Sequence, residues 1–178
     1  MIKILKSISN WYNGRTNHQS RVRDFMLKGG QAAPNSPTIP KLEIRSLRAR
    51  LVIEEALELI EAMNIAIHVK IEVNDALDRT RLRFNMLDFR VLDPFPFDFA
   101  DKVLSNVAKE AADLSVVTTG TLLAYGIKDT ELLEIVDNSN IAKFGPGWYR
   151  DEYGKIIKPT DWKKPDIASI LDKQKVVN

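Results

Sequence analysis

At 178 residues, with 44% hydrophobic and 28% charged side chains, the chain has the composition of one globular domain with a sizeable apolar core. Its formal charge of +2 is too small for a whole-molecule field that would attract a nucleic acid polymer or an anionic membrane, so any bound anion must be held locally. Cysteine is absent and His18 and His68 are the only histidines, which rules out disulfides, thiol nucleophiles and thiolate zinc and disfavours histidine-rich metal sites and Ser-His-Asp triads.

Chemistry must therefore rest on carboxylates, lysine and arginine. No apolar run is long enough to span a bilayer, and residues 1–8 are too short and too lysine-interrupted for a signal peptide core, so a cytoplasmic location is expected.

In chain order, Val22, Phe25 and Met26 fall at helical spacing in residues 20–28, and Gly29 and Gly30 end that short helix. Pro34, Pro37 and Pro40 then predict an extended stretch. Residues 42–66 contain no Gly or Pro, and Leu47, Leu51 and Ala62 recur at helical intervals, so a long helix is predicted there. Beyond it Ile67, Val69, Ile71 and Val73 alternate with polar residues, and residues 84–92 are again rich in apolar and aromatic side chains. This reads as an inserted β-hairpin within residues 67–97, closed by Pro94 and Pro96.

A second long helix is predicted from residue 97 or 98 to about Tyr125, stopped by Gly126. A third begins with Asp129 or Thr130 as N-cap, runs through Leu132, Leu133 and Val136 to Lys143, and stops at Gly145 and Pro146. Residues 145–178 form a tail, with a turn or small hairpin around residues 151–154 and a last short helix capped by Asp166. The whole is read as one domain over residues 1–178.

The helices carry carboxylates where apolar residues would be expected. At 100° per residue Glu58 lies between Leu47, Leu51 and Ala62, flanked by Glu54 and Glu55. The opposite face holds Val52, Ala56, Leu59, Ile60 and Met63, which predicts a helix packed nearly all round, with glutamates unable to escape fully to water. Glu110 lies on the stripe of Val103, Val107, Leu114 and Val117, with Asp113 one turn on. Carboxylates crowded into one interior repel each other and lose hydration, which a hard divalent cation relieves. Mg2+ takes oxygen ligands, and positions i and i+3 of one helix can reach one ion, so ExxE facing ExxD is a candidate cage.

On the third helix Asn140 and Lys143 share a stripe with Val136, which predicts an inward-facing donor and cation suited to phosphate. The same pair also suits helix capping and dipole compensation, and the residues alone leave both readings open. Arg45, Arg48 and Arg50 read as surface or salt-bridge partners.

These segments resemble the all-α nucleoside triphosphate pyrophosphohydrolases: MazG-type enzymes, dimeric dUTPases and phosphoribosyl-ATP pyrophosphohydrolases. The resemblance is carried by residues 47–62 (LRARLVIEEALELIEA), 109–114 (KEAADL) and 137–143 (DNSNIAK). The tail, residues 154–166 (GKIIKPTDWKKPD), is similar to a MazG-like subgroup. It implies an all-α, four-helix MazG-like bundle with a small β-hairpin insertion and an irregular C-terminal tail. It also implies Mg2+, with Mn2+ as a substitute, held by Glu55, Glu58, Glu110 and Asp113. Glu54 would activate the attacking water or hold a further metal, and Asn140 and Lys143 would hold phosphate or sugar. The implied reaction converts a nucleoside triphosphate, or a related nucleotide, to monophosphate and pyrophosphate in a homodimer or homotetramer, with no polymer or membrane partner. Residues 59–109 separate the two acidic motifs by more than the family usually allows, and the insertion accounts for the excess.

Two other classes were weighed. One is a non-catalytic helical protein that binds a metal or nucleotide. The other is a ferritin-like di-iron protein, disfavoured because no histidine lies near Glu58 or Glu110 to make the ExxH pairs that fold uses.

Overall fold

The computed structural model describes residues 14–69, 87–91, 100–152 and 154–175. Its elements in order are α1 (Asn17–Lys28), α2 (Leu42–Ala62), β1 (Ile65–Val69), β2 (Leu87–Val91), α3 (Ala100–Ala124), α4 (Thr130–Ile141), a 3-10 turn (Ala142–Phe144), β3 (Tyr149–Arg150), β4 (Ile156–Ile157) and α5 (Ile167–Lys175). The class is all-α with small β insertions, as the sequence predicts. The chain separates into two compact units, residues 46–117 and residues 1–45 with 118–178.

In the unit of residues 46–117, α2 stops four residues earlier than predicted. Asn64 takes a left-handed backbone (φ 61°), and its N–H closes the end on the Glu61 carbonyl at 2.8 Å. Asparagine tolerates this conformation, and the run Ile65 to Val69 that follows is better satisfied as a strand than as more helix. The hairpin is present: β1 pairs antiparallel with β2, Ile65 opposite Val91 and Val69 opposite Leu87. Ile71, Val73, Phe84 and the closing Pro94 and Pro96 lie outside the described residues, as does the predicted start of the second helix.

The expectation that α2 is packed nearly all round is not met. Arg48 is its one buried residue, while Ile53 and Leu57 are 61% and 50% exposed and Glu54 and Glu58 face solvent. Apolar side chains are spread around the helix rather than gathered in one stripe, so no single face can cover them. Arg48, read from sequence as a surface or salt-bridge partner, is buried, and loss of hydration lowers its pKa.

The other unit is organised around the turn between α3 and α4. Val22 and Met26 of α1, Leu123 and Ala124 of α3 and Ile170 of α5 are buried there, together with Ala33. Gln19, fully buried, donates to the Ile127 carbonyl at 2.9 Å and accepts from the Asp129 N–H at 3.1 Å. Gln174 of α5 repeats the device, accepting from the Lys128 N–H at 2.8 Å and donating to the Lys128 carbonyl at 2.9 Å. Two side-chain amides thus satisfy backbone groups that a buried turn would otherwise leave unpaired.

Asp129 occupies the N-cap position of α4 but does not cap it through its side chain. Its carboxylate reaches back to the start of α1, accepting from the Thr16 N–H and hydroxyl at 2.7 Å each, while Thr16 itself caps α1 through the Gln19 N–H. In the tail, β3 and β4 form the predicted miniature hairpin, and the Asp166 carboxylate accepts from the Ser169 N–H at 3.1 Å at the start of α5.

Gly126 fixes the exit from α3. Its φ is +70°, and a Cβ there would collide with the Ser36 carbonyl of the proline-rich stretch, whose Thr38 N–H bonds to the Tyr125 carbonyl at 2.9 Å. Backbone on both sides leaves little room to yield. Gly126→Ala is therefore expected to lower the unfolding free energy by at least about 2 kcal/mol, measured by urea unfolding; a change near zero would show that the segment at Ser36 can move away freely.

Candidate metal centre

The unit of residues 46–117 brings three of the predicted carboxylates together. Glu55 of α2 and Glu110 and Asp113 of α3 each offer an oxygen, and these atoms lie within 4.8 Å of one another. The spacing follows from the helices: Glu110 and Asp113 are one turn apart on α3, and Glu55 meets them from α2. All three are half-buried.

Glu58 and Glu54 do not join this group. Both are exposed. Glu58 is nonetheless close enough to act on Glu55, whose pKa is raised first by lost hydration and then by the charges of Glu58, Asp113 and Glu110. Repulsion of this kind is what the sequence pattern implied.

Part of the repulsion is relieved by a residue the sequence reading quoted but gave no role. The Lys109 ammonium lies 2.9 and 3.0 Å from the two Glu110 oxygens and 3.0 Å from Asp113 Oδ2. Those hydrogen bonds, to Glu110 and then Asp113, hold it further toward its charged form, and its field lowers the pKa of Glu55. The i, i+4 spacing of Lys109 and Asp113 was the available signal. A cation is thus already accommodated among these carboxylates. The donor set, hard oxygens from three carboxylates, fits a divalent ion such as Mg2+, Mn2+ or Ca2+ and offers nothing to a soft metal.

Asn140 and Lys143 lie in the other unit, at the end of α4 and in the 3-10 turn that follows. The Lys143 ammonium donates to Asn140 Oδ1 at 2.7 Å, so the two side chains act as a pair. The inward stripe predicted for them is only partly seen: Val136 and Lys143 are half-buried and Asn140 is exposed.

With this geometry in view, comparison with known proteins decides the family. The family model for phosphoribosyl-ATP pyrophosphohydrolase matches residues 22–140, well over half of the chain. The chain belongs to this family. It is a pyrophosphohydrolase, a hydrolase of acid anhydrides, within the MazG-like nucleoside triphosphate pyrophosphohydrolase superfamily. The matched stretch holds Glu54, Glu55, Glu58, Glu110 and Asp113 together with Asn140, and it ends before Lys143 and the tail. No curated protein matches the chain. Among the described residues no helix is long and apolar enough to cross a membrane.

If Lys109 serves as counter-cation while the carboxylates lack a metal, removing it should leave their repulsion uncompensated. Lys109→Met is expected to melt a few degrees below the parent in chelator, and to gain more than the parent from an added divalent cation. Equal gains for both proteins would show that Lys109 is only a surface ion pair.

Proposed function

We propose that the chain hydrolyses a nucleoside triphosphate, or a related nucleotide such as phosphoribosyl-ATP, to the monophosphate and pyrophosphate in a magnesium-dependent reaction. The observation that carries this reading is the convergence of Glu55, Glu110 and Asp113 in a member of a pyrophosphohydrolase family.

Glu55, Glu110 and Asp113 would hold Mg2+, with Glu58 as a further ligand once its side chain swings toward Glu55. When bound, the ion draws charge from the phosphate oxygens and so lowers the barrier to attack at phosphorus. Glu54 is exposed beside Glu55 and is assigned to accept the proton of the attacking water, the α–β anhydride bond breaking as the new bond to the α-phosphorus forms. Asn140 and Lys143 hold phosphate or sugar: their mutual hydrogen bond fixes the ammonium and leaves the Asn140 amide N–H2 to donate.

The assembly is proposed to be a homodimer or homotetramer. Ile53 and Leu57 of α2 and Leu104 of α3 are 61%, 50% and 67% exposed, and covering them with another copy of the chain would remove that apolar surface from water. A cytoplasmic location, with no polymer or membrane partner, completes the reading and is supported by the small net charge and the lack of cysteine.

The test is pyrophosphate release from a panel of ribo- and deoxyribonucleoside triphosphates and phosphoribosyl-ATP. Turnover should require Mg2+ and vanish in excess chelator. Glu55→Gln, Glu110→Gln and Asp113→Asn should each lower kcat by at least about a hundredfold while the protein stays folded. Turnover that persists in chelator, or in the triple variant, would overturn the proposal.

A further inference from the structure

The tail reads in sequence as a turn or small hairpin and a short helix, with residues 154–166 similar to a MazG-like subgroup, and it lies beyond the family match. In the structure it docks on the end of α4. The Trp162 indole N–H donates to the Ser139 carbonyl at 2.9 Å, Pro159 is buried, and the Trp162 N–H closes a turn on the Pro159 carbonyl at 3.2 Å. These contacts suffice to seat the ring.

Two ammonium groups then converge on that ring. Lys158 Nζ lies 3.7 Å from its centroid and Lys143 Nζ 5.8 Å, the latter still bonded to Asn140. Among the described residues neither lysine forms an ion pair. One lysine over an indole is a favourable contact; here a second ammonium lies by the same ring, and the docked tail does not need it.

The surplus is intelligible as an anion site. Lys143 follows the C-terminal end of α4, where the partial negative charge of the helix offsets much of its field. Alone it would be a weak anion binder. A second ammonium restores the net positive potential, while the indole beside Lys158 and the Asn140 oxygen bonded to Lys143 restrain the two ammoniums and limit the entropy lost when an anion arrives.

We propose that Lys158, held by Trp162, joins Lys143 and Asn140 in a two-ammonium site for a phosphate group of the nucleotide. The inference deepens the proposed function and rests on its assignment of Asn140 and Lys143 to the substrate. Lys158 is thereby a substrate-binding residue supplied by the tail, and Trp162 is a positioning residue.

The test separates binding from hydrolysis. ATP is titrated into the full-length protein in excess chelator, where no turnover competes, and affinity is read by calorimetry. Lys158→Met, which keeps the stem and removes the charge, should weaken ATP binding roughly tenfold with an unchanged melting temperature; Lys158→Arg should restore most of it. Raising salt should weaken the parent more than Lys158→Met, because one phosphate contact is already gone from the variant. Equal ATP affinity of parent and Lys158→Met would overturn the proposal, as would a loss that appears only with a lowered melting temperature. Neither result bears on whether Glu55, Glu110 and Asp113 support metal-dependent turnover, which the chelator experiment with their variants decides separately.

Discussion

Three carboxylates held within 4.8 Å of one another are the constraint from which the chemistry follows. Each is half-buried, so water cannot fully screen them, and the raised pKa of Glu55 records the resulting conflict between lost hydration and like charge. Such an arrangement persists only if the helices that carry it are fixed by other interactions or if a cation is present. Glu110 and Asp113 are rigidly related because both project from one helix. Glu55 comes from a second, so the cluster's geometry depends on how α2 and α3 meet within residues 46–117.

The other unit shows how a helical scaffold holds its turns without a large apolar core. Its described buried residues are few, and polar side chains make the decisive contacts: Gln19 and Gln174 bind the backbone of residues 127–129, and Asp129 ties α4 to the cap of α1. Each such bond contributes little on balance but is expensive to leave broken, because the buried backbone group would have no other partner. The turn is thus specified by hydrogen bonding rather than by volume filling, and Gly126 is required because the backbone must pass close to Ser36.

Much of this was legible in the amino-acid order, and the parts that were not have identifiable causes. Helix interiors were readable from periodicity, and the stops at Gly29 and Gly126 from backbone chemistry. The end of α2 was not, because Ile65 and Ala66 continue a helical pattern and the left-handed residue that interrupts it is an asparagine rather than a glycine. Asp129 has the sequence signature of an N-cap, yet its carboxylate serves Thr16, 113 residues away, a choice no local pattern reveals. Among the acidic residues, wheel position put Glu58 at the centre of the apolar stripe with Glu54 and Glu55 on its flanks, whereas in the structure Glu55 meets Glu110 and Asp113 and both Glu54 and Glu58 are exposed. That distinction depends on the angle at which the second helix arrives. Arg48 is a different case: its type suggested a surface or salt-bridge arginine, and only the fold shows that it is buried.

Lys109 gives the acidic cluster a way to exist in two states. Its ammonium bridges Glu110 and Asp113, but the side chain is 63% exposed on a flexible four-carbon stem. Exposure weakens such a bridge, because water solvates the separated charges, although here one ammonium offsets two crowded carboxylates at once. Under the proposed metal binding, a divalent cation would bring twice the charge to the same carboxylate oxygens and take the place of the ammonium, and the freed lysine is already in solvent. Lysine in place of arginine matters to this exchange. A guanidinium would grip both carboxylates in a fixed, planar set of hydrogen bonds and resist displacement, whereas an ammonium is a compact charge that releases them readily. The carboxylates can therefore remain assembled without metal and still be open to it.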